Sequence, residues 1–229
     1  MNKVRNQTES GSEGLATPDT AQSGIWKGDF GREYTDRNTF DTAALDQLYR
    51  KNYGVTRQQI NGTFLSDITK GASFLEVGCN TGNQLLLLQQ MGYENLSGVE
   101  LQPYALEIAH RRLPGVELKL GSALSLPYTD SQFDVVFTSG VLIHISPEDV
   151  PRAMGEIYRC SRTYIWGMEY YSSETTEVKY RGHEGLLWKM DYARLYVERF
   201  PDLELLKEQR LPYVENANVD TVFLLKKQR

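Results

Sequence analysis

The sequence predicts an α/β fold in which helices cover both faces of a mostly parallel sheet. From residue 74 onward, short apolar segments alternate with longer segments whose apolar residues recur at helical spacing. The first apolar segment, residues 74–77, runs into a turn with two glycines and then into a leucine-rich stretch. This order of strand, glycine loop and helix is typical of the start of a nucleotide-binding unit. Near the C-terminus, two strand-like segments lie so close in sequence that an antiparallel pair is the simplest arrangement.

Composition and charge argue against several classes of protein. The chain has 229 residues, of which 40% are hydrophobic, enough for one domain with a cap or a tail. The net charge of −5 argues against a nucleic-acid partner, because such proteins usually present a basic face. The 2 cysteines provide neither a disulfide framework nor a metal cluster. The sequence shows neither an apolar run long enough to cross a membrane nor the apolar core of a signal peptide. It therefore predicts a soluble, cytoplasmic protein.

The region before the first strand divides into a tail and a lid. Residues 1–24 are rich in small polar side chains and almost empty of large apolar ones, so we expect a flexible tail. Residues 25–70 are predicted to form an N-terminal lid and helices before the main domain at 71–229. Within this lid, residues 26–38 mix aromatic, glycine and charged residues without periodicity. Two interpretations remain open: an irregular cover packed on the main domain, or a lid lining a ligand pocket.

The elements follow in order along the chain. Asp41 or Thr42 can cap a first helix that Gly54 ends, and Thr56 can cap a second one. Ser146 should cap another helix, with Pro147 at its first position. Residues 170–190 form a long polar and aromatic insert. The patterns further predict helices at 82–91, 103–112 and 192–200, and strands at 74–77, 96–100, 116–120, 133–138, 163–168, 203–210 and 220–227.

The glycine loop narrows the choice of ligand. Gly78 and Gly82 allow the backbone to approach a ligand closely, and Glu100 follows Gly78 by about 20 residues, the spacing of a ribose-binding carboxylate. A phosphate-binding loop would carry Lys and Ser or Thr after Gly82, but Asn83 stands there. The middle glycine of a dinucleotide fingerprint is replaced by Asn80, which argues against a nicotinamide-dependent oxidoreductase. A nucleoside ligand without phosphates fits better.

Four motifs occur in a fixed order within residues 70–165: EVGCNTG at 76–82, Glu100, GSALSLPY at 121–128 and FDVVFTSGVLIH at 133–144. Together they resemble the class I S-adenosylmethionine-dependent methyltransferases. One position departs from that family, which usually has Asp where Ser122 stands. The resemblance implies a seven-stranded, mostly parallel Rossmann-like methyltransferase sheet with helices on both faces and a C-terminal antiparallel hairpin. It also implies S-adenosylmethionine as cofactor, S-adenosylhomocysteine as product, and a substrate-binding insert at about 170–190.

The flanking segments permit a narrower comparison. WKGDFGREYTDRN at 26–38 and LWKMDY at 187–192 look like the flanking motifs of methylases associated with pseudaminic acid biosynthesis. These small methyltransferases are linked by association with bacterial surface-sugar pathways. The resemblance covers residues 25–229 and suggests a sugar acid or a related metabolite as acceptor.

The resemblance and the chemistry of the side chains together predict the site residues. His144 follows the fourth strand beside the reaction centre, and His183 lies in the insert, so both are candidate catalytic residues. Candidate acceptor-binding residues are Tyr170, Arg181 and Trp188, and no metal is required. The predicted cofactor-binding residues are Trp26, Tyr34, Arg37, Glu76, Gly78, Asn80, Thr81, Gly82, Asn83, Glu100, Leu101, Ser122, Ala123, Leu124, Ser139, Gly140 and Val141.

The expected reaction is transfer of a methyl group to oxygen or nitrogen of a small-molecule acceptor. Methylation of a protein or peptide is an alternative, because the acidic chain would suit a basic partner and the insert could dock one. A cofactor-binding scaffold without turnover is another. The sequence leaves open whether the protein is a monomer or a homodimer. No membrane or nucleic-acid partner is expected.

Overall fold

The computed structural model describes residues 20–228, and a seven-stranded sheet forms its centre. A separate two-stranded sheet, β6 with β7, lies within the insert. The bounds of the strands are β1 Ser73–Val77, β2 Asn95–Glu100, β3 Glu117–Leu120, β4 Phe133–Ser139, β5 Ser161–Tyr170, β6 Thr176–Glu177, β7 Trp188–Lys189, β8 Leu203–Pro212 and β9 Val219–Lys227.

The large sheet has the strand order β3-β2-β1-β4-β5-β9-β8. The first five strands in this order are parallel, and β9 is antiparallel to both β5 and β8. The fold class predicted from the sequence is thereby confirmed. The chain reverses its direction of progress between β1 and β4, so a ligand cleft is expected at their carboxyl ends.

The helices begin and end largely where the sequence signals place them. Asp41 caps α3 and Gly54 ends it in the left-handed conformation at φ +76°. Thr56 and Gln59 form a reciprocal capping box at the start of α4. The helices are α1 Ala21–Lys27, α2 Asp29–Arg37, α3 Thr42–Tyr53, α4 Arg57–Phe64, α5 Asn83–Gln90, α6 Pro103–Arg112, α7 Val150–Cys160 and α8 Tyr192–Arg199.

Two apolar clusters sandwich the sheet. Leu75, Val77 and Val136 point to one cluster, whereas Phe74 and Val135 point to the other. The central strands are buried on both faces, which explains why their sequences are almost wholly apolar. Among residues 20–228, no helix is both long and apolar enough to cross a membrane.

The segment 26–38 is helical, so the expectation of an irregular segment is wrong. Thr20 caps α1 through the backbone amide of Ser23, and Gly28 separates α1 from α2. A side chain at Gly31 would clash with the carbonyl of Trp26, with only 1.8 Å between them, so this glycine allows the two helices to pack closely. The helix α1 also begins before residue 25, where order was expected to start. The rest of the predicted tail, residues 1–19, lies outside the described residues.

Two further differences concern loops. The helix expected to begin at Pro147 begins at Val150, and residues 147–149 form a turn in which Ser146 Oγ accepts the amide of Asp149 and donates to its carboxylate. The insert contains the short β6–β7 pair, in which Glu177 lies opposite Trp188. No pattern in the sequence predicted this pair.

Candidate cofactor and acceptor site

A cavity of about 270 Å³ opens at the carboxyl ends of β1, β2 and β4. The loops that follow β1, β2, β3 and β4 form its base, and α1 and α2 cover it. This is the place where open α/β sheets bind ligands. The predicted cofactor residues that line it are Trp26, Tyr34, Glu76, Gly78, Asn80, Asn83, Glu100, Leu101, Ser122, Ala123, Leu124, Ser139, Gly140 and Val141.

Glu100 is held rigidly at the end of β2. One carboxylate oxygen accepts hydrogen bonds from the amides of Leu101 and Gln102, each at 2.8 Å, and the other accepts one from the amide of Asn80 at 2.7 Å. Burial raises the pKa of the carboxyl, while these three amides oppose that shift. Three of the carboxylate's roughly four acceptor positions are thus filled, and the oxygen that accepts from Asn80 keeps one for a ligand hydroxyl.

Glu76 lies across the same cavity with one carboxylate oxygen unpartnered among the described residues. Its side chain is buried, and its Oε2 has no hydrogen-bond partner among the described residues. Burial raises its pKa well above the ordinary range, and the nearby charge of Arg57 opposes this. The Oε1 of Gln84 and the Nε1 of Trp26, both on the cavity wall, are also buried and unpartnered. Because buried polar groups are usually hydrogen-bonded, these atoms indicate a polar ligand.

The two loop glycines serve different contacts. Gly78 has φ +72°, and a side chain there would come within 2.7 Å of Val141 on the cavity wall. Gly82 has φ +76° and faces away from the cavity, where a side chain would come within 2.3 Å of Leu113. Its neighbour Thr81 is also absent from the cavity wall and is buried beneath Arg112, which bonds its hydroxyl at 2.8 Å. Gly82 and Thr81 therefore support the loop without lining the cavity.

The helices α1 and α2 together form a helical cap, which is joined to the main domain through Gln102. The side-chain nitrogen of Gln102 lies 2.8–3.1 Å from the carbonyls of Trp26, Lys27 and Gly28. Arg37 does not line the cavity, contrary to its predicted role. It lies 3.5 Å from Glu33, one turn earlier on α2, and is partly exposed.

His144 is enclosed by aromatic rings beside the cavity. Its Nδ1 lies 2.8 Å from the carbonyl of Leu186, so Nδ1 carries the proton and Nε2 is the acceptor nitrogen. Burial lowers its pKa to about 4, which keeps the ring neutral at physiological pH. The rings of Trp26 and Tyr180 lie 4.5 and 5.3 Å away.

A second cavity, of about 230 Å³, adjoins the first, and the residues that line both at their junction are Tyr34, Asn38, Leu48, Tyr49, Ser139, Gly140 and His144. Its wall is rich in tyrosines and carries two carboxylates. Its titratable wall residues beyond the junction are Tyr53, Glu169, Tyr170, Tyr180, Tyr213 and Asp220.

Three predicted residues of the insert lie elsewhere. His183 and Arg181 are exposed at a turn, and neither lines a cavity. Trp188 is buried in the apolar core, on β7. Tyr180 and Leu187 of the insert line the second cavity instead, as does the predicted Tyr170. The geometry therefore does not support acceptor contacts for His183, Arg181 and Trp188.

Several wall residues escaped sequence reasoning. Tyr53 comes from α3, while Tyr213 and Asp220 come from the hairpin of β8 and β9, so only the folded chain brings them together. The polar Asp220 at the start of an apolar strand was the single available signal. Gln102 lies two residues after Glu100 but belongs to none of the motifs recognised in the sequence.

Comparison with known proteins agrees with this geometry. Residues 75–163 match the family described as "Methyltransferase domain". An uncharacterized methyltransferase-like protein of Schizosaccharomyces pombe is 30% identical over 130 residues, 56% of this chain and 48% of that protein. A demethylmenaquinone methyltransferase of Symbiobacterium thermophilum is 32% identical over 97 residues, 39% of this chain and 38% of that protein. The chain thus spans about half or less of the length of these relatives.

A solved structure shares the fold across nearly the whole chain. It is the 1,6-didemethyltoxoflavin-N1-methyltransferase of Burkholderia thailandensis, determined with 1,6-didemethyltoxoflavin and S-adenosylhomocysteine bound. The TM-score is 0.69 at 16% identity, and the match covers 94% of each chain. Residues 75–163 thus match a methyltransferase domain, and the chain shares its fold with S-adenosylmethionine-dependent methyltransferases of solved structure.

Proposed function

We propose that this protein transfers a methyl group from S-adenosylmethionine to oxygen or nitrogen of a small-molecule acceptor. The observation that carries the proposal is the pair of buried carboxylates in one cavity, with Glu100 held by three amides and Glu76 left with an unpartnered oxygen. A nucleoside that also bears an amino group matches that pair, because its ribose hydroxyls and its amine are all donors.

The remaining wall suits the rest of the cofactor. Glu100 would accept a ribose hydroxyl and Glu76 the amino group, while Ser122, Ala123 and Leu124 would lie along the adenine. The ring of Trp26 offers a π-face to a sulfonium. Lysine and arginine are absent from the part of this wall that the structure describes. The wall is thus acidic, which suits a ligand with a net positive charge.

The protein's contribution to the reaction would be alignment and proton transfer. The sulfonium supplies an activated methyl group, so the acceptor's lone pair forms the new bond while the carbon–sulfur bond breaks and its electrons remain on sulfur. The acceptor atom must lie about 3–3.5 Å from the methyl carbon, in line with that bond. Neutral His144, at the junction of the two cavities, would accept the acceptor's proton at Nε2.

Sequence similarity and the size of the second cavity indicate the chemical class of the acceptor. The likeness of residues 26–38 and 187–192 to the methylases associated with pseudaminic acid biosynthesis suggests a sugar acid or a related metabolite. A small acceptor also fits the limited volume of the second cavity, about 230 Å³.

Calorimetry tests the cofactor assignment. S-adenosylmethionine and S-adenosylhomocysteine should both bind, whereas NAD⁺ should not. The substitution Glu76→Gln should weaken both by about tenfold to a hundredfold, the loss expected for a charged hydrogen bond. Glu107→Gln is the matched control, because Glu107 is exposed and paired with Arg111. If neither S-adenosylmethionine nor S-adenosylhomocysteine bound, the proposal would be overturned.

A further inference from the structure

The second cavity has an anionic and aromatic wall that the cofactor does not need. Asp220 is buried at the start of β9, and its Oδ1 has no hydrogen-bond partner among residues 20–228. Its Oδ2 accepts a hydrogen bond of 2.6 Å from the hydroxyl of Tyr53. A buried carboxylate oxygen on a cavity wall, with no partner in the protein, is a site for a ligand's donor group.

The tyrosine hydroxyls hold Asp220 in position. The hydroxyl of Tyr53 lies 2.8 Å from that of Tyr213, which lies 3.3 Å from that of Tyr170. This chain of hydroxyls fixes the ring orientations around the carboxylate. The faces and edges of Tyr49, Tyr53, Tyr170 and Tyr213 then form the aromatic side of the cavity.

Among the described residues, the carboxylic acid side chains that line the second cavity have no basic residue beside them on its wall. Asp220 and Glu169 are on the wall, and no lysine or arginine is among the described residues that line it. His144 is neutral because burial lowers its pKa. Two cations lie behind the wall. Arg57 bonds the hydroxyls of Tyr49 and Ser139 at 2.9 and 3.2 Å, and Lys189 bonds Asn218.

These cations favour the ionised form of Asp220 without pairing with it. Arg57 and Lys189 both lower the pKa of Asp220, against a larger effect of burial, and the pKa lies at about 6. Neither comes within ion-pairing distance of Asp220. Near neutral pH the carboxylate is therefore available to a ligand.

We propose that the second cavity is the acceptor site and that it selects acceptors bearing an ammonium group, which Asp220 Oδ1 binds within the tyrosine wall. A cation gains both a charged hydrogen bond and contact with aromatic faces there, whereas a carboxylate would meet two acidic side chains. The ammonium anchors the molecule, and the methylated atom lies at its other end, at the junction formed by Gly140 and His144. This inference rests on the proposed function and replaces a sugar acid by an amine as the favoured acceptor class.

The test uses three probes of one shape and different charge: benzylamine, benzyl alcohol and benzoate. Each is titrated into the full-length protein saturated with S-adenosylhomocysteine, so that the first cavity is filled. Benzylamine should bind about tenfold or more tightly than benzoate, with benzyl alcohol between them. This comparison needs no variant, so it stays informative even if substitutions at Asp220 disturb folding.

A substitution then assigns the charge preference to one oxygen. Asp220→Asn should weaken benzylamine binding by about tenfold or more and leave the affinity for S-adenosylhomocysteine unchanged. Asp67→Asn is the control, since Asp67 is an exposed carboxylate paired with Lys207. Benzoate binding as tightly as benzylamine, or benzylamine binding equally to Asp220→Asn, overturns the inference. Benzylamine binding in a protein that binds neither cofactor overturns the proposed function while supporting an amine site at Asp220.

Discussion

Glu169 shows how one side chain fixes the loop at the junction of the two cavities. It is buried at the end of β5, and its two oxygens accept hydrogen bonds from the amides of Val141 and Ile143 at 3.2 and 3.3 Å. Those amides belong to the loop that carries Gly140 and His144. Burial outweighs these bonds and raises the pKa of Glu169 to about 7.

This raised pKa predicts a specific dependence of stability on pH. Between the ordinary pKa of 4.5 and about 7, the folded protein holds a proton on Glu169 that the unfolded chain has lost. The contribution of Glu169 to the unfolding free energy is therefore fully present below pH 4.5 and is lost as the pH rises through 7. Across this window the wild type should lose about 3 kcal/mol relative to Glu169→Gln, whose side chain cannot ionise.

Urea unfolding of both proteins at a series of pH values measures the difference. Taking the difference between the curves cancels the contributions of other titrating groups, including Asp220 and His144. Glu204→Gln serves as a control, since Glu204 is an exposed carboxyl on β8 and should give a curve parallel to the wild type. If the Glu169→Gln curve were also parallel to the wild type, Glu169 would not titrate in this window.

At the scale of elements, the packing of the glycine loop before α5 can be tested by comparing alanine substitutions at two glycines. Gly82 lies in that loop, and Gly92 lies just after the helix. Gly82 and Gly92 both have positive φ, at +76° and +85°. A side chain at Gly82 would overlap Leu113, whereas Gly92 has no atom within 4 Å of the same position. Gly92→Ala should cost about 1 kcal/mol from backbone conformation alone. Gly82→Ala should cost a further 1–3 kcal/mol, roughly, from overpacking.

The two substitutions are compared by urea unfolding, and the difference between them isolates the clash with Leu113. An equal loss of stability in both variants would show that Leu113 moves aside freely. Because Gly82 does not line the cavity, Gly82→Ala should bind S-adenosylhomocysteine normally once folded. A selective loss of binding by a stable Gly82→Ala protein would instead indicate that Gly82 contacts the cofactor.

The success of the sequence prediction also differs between elements. The alternating core was predictable because buried parallel strands are continuous apolar runs and the helices carry local caps, as at Thr56. The helices α1 and α2 were missed because glycines in a sequence usually indicate loops. Gly31 is instead a contact point between two helices, which depends on the approach of Trp26. The helix predicted after Ser146 begins only at Val150, although Ser146 Oγ accepts the amide of Asp149 as a cap would.

For the whole molecule, the same contrast separates the two cavities. Most of the first cavity is built from loops at the ends of parallel strands. The ordered motifs between Glu76 and Val141 mark these loops in the sequence, and the register of the strands brings the loops together. The second cavity is assembled from α3, the insert and the β8–β9 hairpin. Tyr53 and Asp220 lie far apart in sequence, so no local pattern could join them. The wall of the first cavity was therefore largely predictable, and most of the wall of the second was not.

The whole-molecule arrangement also places a small helical cap over the cofactor cavity. The helix α1 contains no fully buried residue, and polar contacts as well as the aromatic contact of Trp26 with His144 connect the cap to the domain. The Nε2 of Gln102 lies close to three carbonyls around Gly28, and the amide of Ser146 donates to Gln22 of α1 at 3.0 Å. An element with little buried apolar area opens locally at low free energy. The cap is therefore expected to open for cofactor exchange and to be held closed by bound cofactor.

Limited trypsin digestion can measure this closure at Lys27 and Arg32, both exposed on the cap. S-adenosylhomocysteine should slow cleavage at these residues in the wild type, because the ligand contacts the cap only when it is closed. Gln102→Ala should speed cleavage and weaken S-adenosylhomocysteine binding by about tenfold, the effect of losing two neutral hydrogen bonds. Gln90→Ala, an exposed position on α5, is the control. Cleavage at Lys27 and Arg32 that is equally fast with and without ligand would show that the cap does not respond to the cofactor.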